Sequence, residues 1–283
     1  MSGIERKISQ VIFRLRKHLF FLFWWRTLRL ILGRGSESVL ENPRLFNFLI
    51  LARLCYIRRI KNSTIVQAKN NGLFFVQPVD NVLVNDEVFF EKVYELHREV
   101  LKHDVVVDVG AHVGVFSIKA AAVASKVISI EPDAYNFKLL SFNIRLNHLK
   151  NLILVNSAVA DYDGDAKLYL HSQSGMHSIM SARAPTSVHS VNVKVRKLDT
   201  IVKELNIERI DFLKIDVEGA EFYVLKGALN TLKKHRPFIV MEYHQNLSGT
   251  AKSKILDLLE NLNYYCKEEG YYIYAYQVER PKR

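Results

Sequence analysis

The chain has 283 residues, of which 49% are hydrophobic and 24% are charged. This balance is typical of a globular protein and excludes a wholly disordered or fibrous chain. The length allows one large domain with an extension, or two modest domains. The two cysteines, Cys55 and Cys266, lie far apart without metal-type spacing, which indicates a reducing compartment, the cytoplasm.

Most of the excess positive charge lies near the N-terminus. The net charge is +11, and residues 1–62 hold 13 lysines and arginines against three acidic residues. A nucleic-acid enzyme usually spreads positive charge around its substrate cleft, whereas residues 63–283 are nearly neutral. The distribution argues against nucleic acid as a partner and indicates an N-terminal segment that contacts something anionic.

Residues 1–62 are predicted to form a basic, aromatic-rich helical extension. The longest uninterrupted apolar run, Leu19 to Trp25, has seven residues, and a spanning helix needs about 20. No small-residue cleavage site follows this run, so a signal peptide is not expected. The aromatic and basic residues of segment 1–34 favour a helix on an anionic membrane surface, at the cytoplasmic face. Packing on its own domain or on another subunit is an equal alternative.

Residues 63–103 are predicted to be a β-rich lead-in followed by a helix. Strand composition occurs at Thr64–Ala68, Leu73–Val76 and Val82–Val84. The polar stretch Glu87–Leu101 is predicted to be helical. This lead-in is expected to pack against the main domain and to cover its site.

Residues 104–283 are predicted to form the main domain, because strand and helix patterns alternate along them. Strands are predicted at Val105–Val109, Val127–Glu131, Leu152–Val155, Ile210–Ile215, Phe238–Tyr243, Tyr264–Cys266 and Tyr271–Tyr276. Helices are predicted at Phe116–Ala124, Tyr135–Leu146, Leu198–Leu205, Gly219–Lys234 and Ala251–Leu262. Such alternation predicts an α/β, Rossmann-like fold, with a mostly parallel twisted sheet and helices on both faces. The insertion Gly175–Ser190 is interpreted as an acceptor-side loop or a surface insertion.

The segment Asp108–Gly114, after the first buried strand, is a candidate cofactor-binding turn. Its glycines permit a tight turn and let a ligand approach the backbone closely. Glu131 ends the next strand, 21 residues after Gly110, where a carboxylate suits the two hydroxyls of a ribose. The candidate cofactor-binding residues of these two strand ends are Asp108, Gly110, Ala111, His112, Gly114 and Glu131.

The spacing of this turn disfavours a dinucleotide. A dinucleotide fingerprint has three glycines, G-x-G-x-x-G, but Ala111 and His112 stand where the middle glycine would fall. The carboxylate of Asp108 would repel a pyrophosphate but suits the ammonium of an amino-acid moiety. A cofactor without phosphates is therefore favoured, and a nucleotide-dependent oxidoreductase is the alternative enzyme class.

Carboxylates gather at the ends of two further strands. The candidate catalytic residues there are Asp216, Glu218, Glu242 and His244, whereas Glu221 is assigned to helix capping. Neighbouring parallel strands would bring Asp216, Glu242 and His244 together. His244 could then serve as a general base near neutral pH, or the same three residues could bind a divalent cation.

The order of these motifs resembles the FkbM-type methyltransferases over residues 73–245. The resemblance is carried by Asp108–Gly114, Glu131-Pro132, Asn143 with Asn147, Ser178, Leu198-Asp199, Leu213–Glu221 and Glu242. It implies a class I methyltransferase fold and S-adenosyl-L-methionine as cofactor. It also implies that the Asp108–Gly114 turn takes the methionine end and Glu131 the ribose, and it adds Asn147 to the cofactor-binding candidates. His112 often corresponds to Asn in this family.

The implied activity is methyl transfer to a hydroxyl of a sugar, glycan, glycolipid or similar small molecule. A hydroxyl has a very high pKa, so its attack on a sulfonium needs a positioned base or a metal ion. A non-catalytic cofactor-binding protein recruited to a membrane is the alternative outside the enzymes. Methyl transfer to RNA is disfavoured by the neutral main domain.

Overall fold

The computed structural model describes residues 63–67, 72–78, 87–181, 189–244 and 251–277. The predicted extension 1–62 and the predicted strand Val82–Val84 lie outside the described residues. The described strands are β1 Ser63–Gln67, β2 Phe74–Pro78, β3 Val105–Val109, β4 Lys126–Ile130, β5 Leu152–Val155, β6 Ala158–Val159, β7 Gly164–Leu170, β8 His189–Arg196, β9 Phe212–Ile215, β10 Phe238–Glu242, β11 Tyr265–Glu269 and β12 Tyr272–Tyr276. The described α-helices are α1 Val115–Ala121, α2 Ala134–Leu146, α3 Leu198–Glu204, α4 Glu221–Lys226, α5 Leu229–His235 and α6 Lys252–Asn261.

The main sheet of the described residues has seven strands in the order β11-β12-β10-β9-β3-β4-β5. Strands β10, β9, β3, β4 and β5 pair in parallel, and β12 runs antiparallel to both β10 and β11. The chain builds outwards from β3 to β5 and then returns to add β9 on the other side of β3. This order, with one antiparallel strand near the edge, confirms the predicted class I methyltransferase fold.

The central strands are mainly apolar, with few polar residues such as Asp108 and Lys214, as expected for a parallel sheet that is covered on both faces. In β3, Val106, Val107 and Val109 are buried, and in β9 Phe212, Leu213 and Ile215 are buried as well. A strand with one face in water would alternate apolar and polar residues instead. The apolar runs in the sequence therefore predicted the central strands well.

The lead-in differs from its prediction, since Glu87–Leu101 is not one helix. A π-helical turn, Glu87–Glu91, and a 3₁₀ turn, Val93–Glu95, are followed by irregular backbone. Contacts with other elements bind this segment: Lys119 donates a hydrogen bond to the carbonyl of Val88 and pairs with Glu95, and Arg98 binds Asp104 through two 2.8 Å hydrogen bonds. These tertiary contacts override the local helical pattern.

The predicted helix Gly219–Lys234 is also wrong as a single element, because α4 and α5 are separate. Gly227 lies between them, and a Cβ there would fall 2.0 Å from the carbonyl oxygen of Ala160. The backbone of Gly227 also accepts a 2.9 Å hydrogen bond from Asp199 N. Close packing on the neighbouring segment therefore breaks the helix at this glycine.

The region between β5 and α3 forms a small sheet that was not predicted. Its described strands have the order β6-β8-β7, and β7 and β8 form an antiparallel pair. The signal was present in the sequence, because Val191, Val193 and Val195 alternate with polar residues through β8. Most of the predicted insertion Gly175–Ser190 lies between these two strands.

Two asparagines, Asn143 in α2 and Asn147 directly after it, hold β2 against the main domain. Asn147 accepts a hydrogen bond from Phe74 N and donates one to Phe74 O, at 2.8 and 2.7 Å. Asn143 does the same for Val76, at 2.7 and 2.9 Å. Four residues along a helix span about 6 Å, and two residues along a strand span about 6.6 Å. The spacing between Asn143 and Asn147 therefore matches the spacing between Val76 and Phe74. The predicted packing of the lead-in on the main domain thus has a specific hydrogen-bonded basis.

Candidate active site

A cavity of about 270 Å³ lies at the carboxyl edge of the main sheet. The strand register aligns Val109, Ile130, Ile215 and Met241 across four neighbouring strands. One residue further along each strand are Gly110, Glu131, Asp216 and Glu242, and all four line the cavity. The cavity lies where the strand order reverses between β3 and β9, the usual ligand position in open α/β sheets.

The turn after β3 adopts left-handed backbone conformations at three positions. Gly110 has φ 77°, His112 φ 51° and Gly114 φ 90°. A Cβ on Gly110 would fall 1.7 Å from the carbonyl oxygen of Asp216, so only glycine fits there. Gly110, Ala111 and His112 line the cavity, whereas Gly114 shapes the turn where α1 begins.

Glu131 is a buried carboxylate at the other side of this turn. Its two oxygens accept hydrogen bonds from the backbone N–H groups of His112 and Asp133, each at 2.8 Å. Burial raises the pKa of Glu131 to about 8, although these two hydrogen bonds act in the opposite direction. The side chain is thus fixed in place at the cavity wall, with a poorly solvated charge that gains from additional hydrogen-bond donors.

Asp108 is fully buried below the cavity and does not line it. Its carboxylate lies 3.1 Å from Nζ of Lys214 and accepts a 2.6 Å hydrogen bond from Ser117 Oγ. In the structure, Asp108 faces Lys214 and not the cavity, and Lys214 compensates its charge inside the protein. The expected contact between Asp108 and the ammonium of a cofactor stays a prediction.

Lys214 joins three parts of the site. Its ammonium donates a 2.8 Å hydrogen bond to the carbonyl of Gly110, in addition to its contact with Asp108, and lies 3.5 Å from Asp216. Burial lowers the pKa of Lys214, but the charges of Asp108 and Asp216 outweigh burial and raise it. Lys214 is therefore a permanent buried cation between two carboxylates.

Asp216 is also contacted by the lead-in. The hydroxyl of Tyr94 donates a 3.0 Å hydrogen bond to Asp216, and Lys214 lies 5.1 Å from the centre of the Tyr94 ring. Burial would raise the pKa of Asp216, but the charges of Lys214 and His244 lower it below its ordinary value. Asp216 is thus ionised and held in one orientation.

His244 is surrounded by three carboxylates. Its Nδ1 lies 2.9 Å from Glu221, and its Nε2 lies 3.4 Å from Glu218 and 3.5 Å from Glu242. Burial lowers the pKa of His244, but hydrogen bonds to Glu221 and Glu242 and the nearby charges raise it to about 11. The ring is therefore an imidazolium at neutral pH in this arrangement. The general-base role expected for His244 would require loss of this proton, and it stays a prediction.

A family model described as the methyltransferase FkbM domain matches residues 108–271, more than half of the chain. The chain belongs to the FkbM methyltransferase family.

Individual relatives share 30% or less of their aligned residues with this chain. The chain is 30% identical over 221 residues to the AMB antimetabolite synthetase AmbE of Pseudomonas aeruginosa, covering 63% of this chain and 10% of that protein. It is 25% identical over 163 residues to the hexuronic acid methyltransferase AglP of Haloferax volcanii, covering 57% and 64%. A solved methyltransferase FkbM from Methylobacillus flagellatus is 18% identical with a TM-score of 0.45, covering 66% of this chain and 50% of that one. The chain thus spans less than two thirds of the length of each.

The structure brings together most of the residues that the sequence selected in this FkbM chain. Cavity-lining residues among the candidates are Gly110, Ala111, His112, Glu131, Asp216, Glu218 and Glu242. His244 lies directly behind Glu218 and Glu242. Asn147 does not line the cavity, since its amide is bonded to Phe74 and to Asn143 O. Its contacts hold β2 in place, and its expected role in cofactor binding stays a prediction.

Four residues of the site were missed or given another role from the sequence. Glu221, assigned to capping, accepts a 2.8 Å hydrogen bond from Gly219 N and also holds His244. The hydroxyl of Ser178 donates a 2.5 Å hydrogen bond to the carbonyl of Glu218. Lys214 carried a readable signal, because a lysine inside an apolar strand requires a buried carboxylate. Tyr94 carried none, since its contact depends on how the lead-in packs.

Proposed function

We propose that the chain transfers a methyl group from S-adenosylmethionine to a hydroxyl of a sugar, glycan, glycolipid or similar small molecule. The observation that carries the proposal is that one cavity has two chemically different ends. Gly110, His112 and Glu131 line it from the loops after β3 and β4, which we call the donor end, and Asp216 and Glu242 line it where β9 and β10 end, which we call the acceptor end. A methyl transferase needs this arrangement, since donor and acceptor must meet in line.

The donor end fits a nucleoside. The carboxylate of Glu131 is positioned to accept hydrogen bonds from the ribose hydroxyls, and the turn backbone at Gly110 permits close approach of the methionine end. Ser157 also lines the cavity, and its buried hydroxyl has no hydrogen-bond partner within the described residues. A buried hydroxyl of this kind gains free energy from a polar ligand atom, so we assign Ser157 to the adenine.

The acceptor end fits a hydroxyl group. In the transfer, the hydroxyl oxygen forms a bond to the methyl carbon while the carbon–sulfur bond breaks, leaving S-adenosylhomocysteine. The hydroxyl proton must pass to a base. Asp216 is already engaged by Tyr94 and Lys214, so we assign the proton to Glu242 and the orientation of the acceptor to Asp216.

The comparisons support this choice of reaction. Family membership favours a methyl donor over the dinucleotide of an oxidoreductase. One relative is named a hexuronic acid methyltransferase, which supports a sugar as acceptor. The retained carboxylates at the acceptor end favour an active enzyme over a non-catalytic cofactor-binding protein.

The experiment that tests the proposal has a binding part and a reaction part. Calorimetric titration should show binding of S-adenosylhomocysteine and none of NAD. Incubation with methyl-labelled S-adenosylmethionine and a set of polyhydroxylated acceptors should give a product with an O-methyl group, identified by mass spectrometry. Binding of NAD alone, or label found only on nitrogen or carbon, would exclude the proposed reaction.

We also propose that residues 1–34 bring the enzyme to an anionic membrane surface, at the cytoplasmic face. The support is the basic and aromatic composition of this segment. Among the described residues, no helix has both the length and the apolar character needed to cross a bilayer. Co-sedimentation with phosphatidylserine vesicles should be lost on deletion of residues 1–34 and weakened by salt; unchanged co-sedimentation would refute the proposal.

A further inference from the structure

We propose that Asp216, Glu218 and His244 bind one divalent cation of the Mn²⁺ type at the acceptor end of the cavity. The role of the ion in orienting a hydroxyl rests on the proposed function, but the binding itself does not.

The geometry provides three converging ligands. One oxygen each from Asp216 and Glu218 and one ring nitrogen of His244 all lie within 4.8 Å of one another. Asp216 follows β9, Glu218 lies in the turn before α4, and His244 follows β10. Their side chains are 24%, 14% and 17% exposed, so the ligands are held by the fold while water and an ion can still reach them.

A second observation concerns Glu221, which lies behind the cluster and is not one of its ligands. Glu221 is fully buried, and its Oε1 lies 2.9 Å from Nδ1 of His244. Its other oxygen, Oε2, is buried with no hydrogen-bond partner in the part of the chain that the structure describes. Metal-binding histidines usually donate the second ring N–H to a carboxylate in this manner, which fixes the ring and its tautomer. Glu221 therefore directs Nε2 of His244 towards Glu218.

The cluster lies in a group of side chains with an excess of negative charge. Five carboxylates lie in contact with one another, with Lys214 or with His244: Asp108, Asp216, Glu218, Glu221 and Glu242. Lys214 is the cation among their partners that is not a proposed ligand, and His244 must lose its Nε2 proton to bind a metal ion, so carboxylates outnumber cations within this group. Buried and half-buried charges are costly unless they are paired. A divalent cation supplies two positive charges at the centre of the excess.

The ligand types select the class of ion. Two carboxylates and one imidazole form a mixed oxygen and nitrogen set. Mg²⁺ and Ca²⁺ prefer oxygen ligands alone, whereas divalent transition-metal ions bind imidazole as well, and Mn²⁺ is the one among them that carboxylates and water suit best. Three protein ligands leave open positions for water or for a substrate hydroxyl, whose pKa a bound cation lowers.

The test uses the full chain and Mn²⁺ alone, without donor or acceptor. Electron paramagnetic resonance and calorimetry should show one bound Mn²⁺ per chain. Glu218→Gln and His244→Gln should each weaken Mn²⁺ binding by at least tenfold, and Glu221→Gln by a smaller factor because it acts through His244. The matched control is Glu204→Gln, which changes an exposed carboxylate in α3 that pairs with Arg196 and should leave Mn²⁺ affinity unchanged.

The outcomes separate this inference from the proposed function. Thermal unfolding of each variant shows whether it is folded, and a folded Glu218→Gln or His244→Gln variant that binds Mn²⁺ as the wild type does would overturn the site. Absence of Mn²⁺ binding by the wild type would overturn it as well. S-adenosylhomocysteine binding and methyl transfer in the presence of a chelator would then leave the proposed function standing. Conversely, Mn²⁺ binding without binding of S-adenosylhomocysteine would contradict the function and keep the cation site.

Discussion

Lys214 Nζ lies 3.1 Å from Asp108 Oδ1, and both side chains are almost completely buried. This ion pair joins β9 to β3 directly below the cavity, and Lys214 extends it to the carbonyl of Gly110. The position of the cofactor turn and the position of Asp216 are therefore coupled through one side chain. Removing Lys214 would leave the charge of Asp108 buried without compensation.

Substitution of Lys214 by Met should strongly destabilise the protein. Breaking a buried ion pair by removing one partner costs about 3–5 kcal/mol, and chemical denaturation should show a loss of this size. The double variant Asp108→Asn, Lys214→Met should lose less stability than the sum of the single variants, because the buried charge of Asp108 is removed together with its partner. The control Lys194→Met alters a pair with Asp165 that is 71% and 63% exposed, and its effect should stay within about 0.5 kcal/mol. Equal losses of unfolding free energy in Lys214→Met and Lys194→Met would contradict a structural role for the buried Asp108–Lys214 pair.

Gly110 and Gly270 form a matched pair for testing the cofactor turn. Both have positive φ, 77° and 60°, but a Cβ on Gly270 meets nothing within 4 Å, whereas on Gly110 it meets the backbone of Asp216. Gly270→Ala should cost about 1–2 kcal/mol from the left-handed backbone alone. Gly110→Ala should cost well beyond that in thermal or chemical unfolding, and should abolish binding of S-adenosylhomocysteine. Similar stability of the two variants would show that the backbones of Gly110 and Asp216 can move apart without loss of stability.

The affinity for the donor should depend on pH through Glu131. The pKa of Glu131 is raised to about 8 by burial, and ribose hydroxyls donate to the ionised form. Below this pKa the carboxylate must lose a proton before it accepts both hydroxyls, so affinity should increase as pH rises from 6 to 8, by up to about tenfold per unit, and then level off. Calorimetry with S-adenosylhomocysteine measures this slope. In Glu131→Gln the affinity should be lower and the slope flat; an unchanged slope would mean that another group titrates.

His112 should tolerate Asn better than Val. Its φ of 51° lies in the left-handed region, where Asn is among the favoured non-glycine residues and β-branched residues are strained. Burial, with a smaller contribution from His177, lowers the pKa of His112 to about 3, so a neutral side chain replaces it without loss of charge. His112→Val should be less stable than His112→Asn by about 1–3 kcal/mol in chemical denaturation. Greater stability of the Val variant would show that side-chain burial at this position outweighs the backbone conformation.

The sequence alone determined which residue types stand at the carboxyl ends of the central strands. The apolar runs of β3, β4, β9 and β10 are followed by or end in Gly110, Glu131, Asp216 and Glu242, and parallel strands bring their carboxyl ends to the same edge of the sheet. Asp216, Glu218, Glu242 and His244 could therefore be grouped without coordinates. The turn at Gly110 could be recognised from the sequence as well, because its backbone conformation depends mainly on the local residue type.

Only the tertiary structure decided which polar and charged side chains contact one another. Asp108 was expected to face a cofactor, but Lys214 from another strand takes its carboxylate. Glu221 was expected only to cap a helix, but it also holds His244, and Asn147 was expected near the cofactor, but it holds β2. Each of these contacts joins residues 23 to 106 positions apart. Periodicity tells which face of an element a residue occupies, but the partner of a buried polar group depends on the packing of elements distant along the chain.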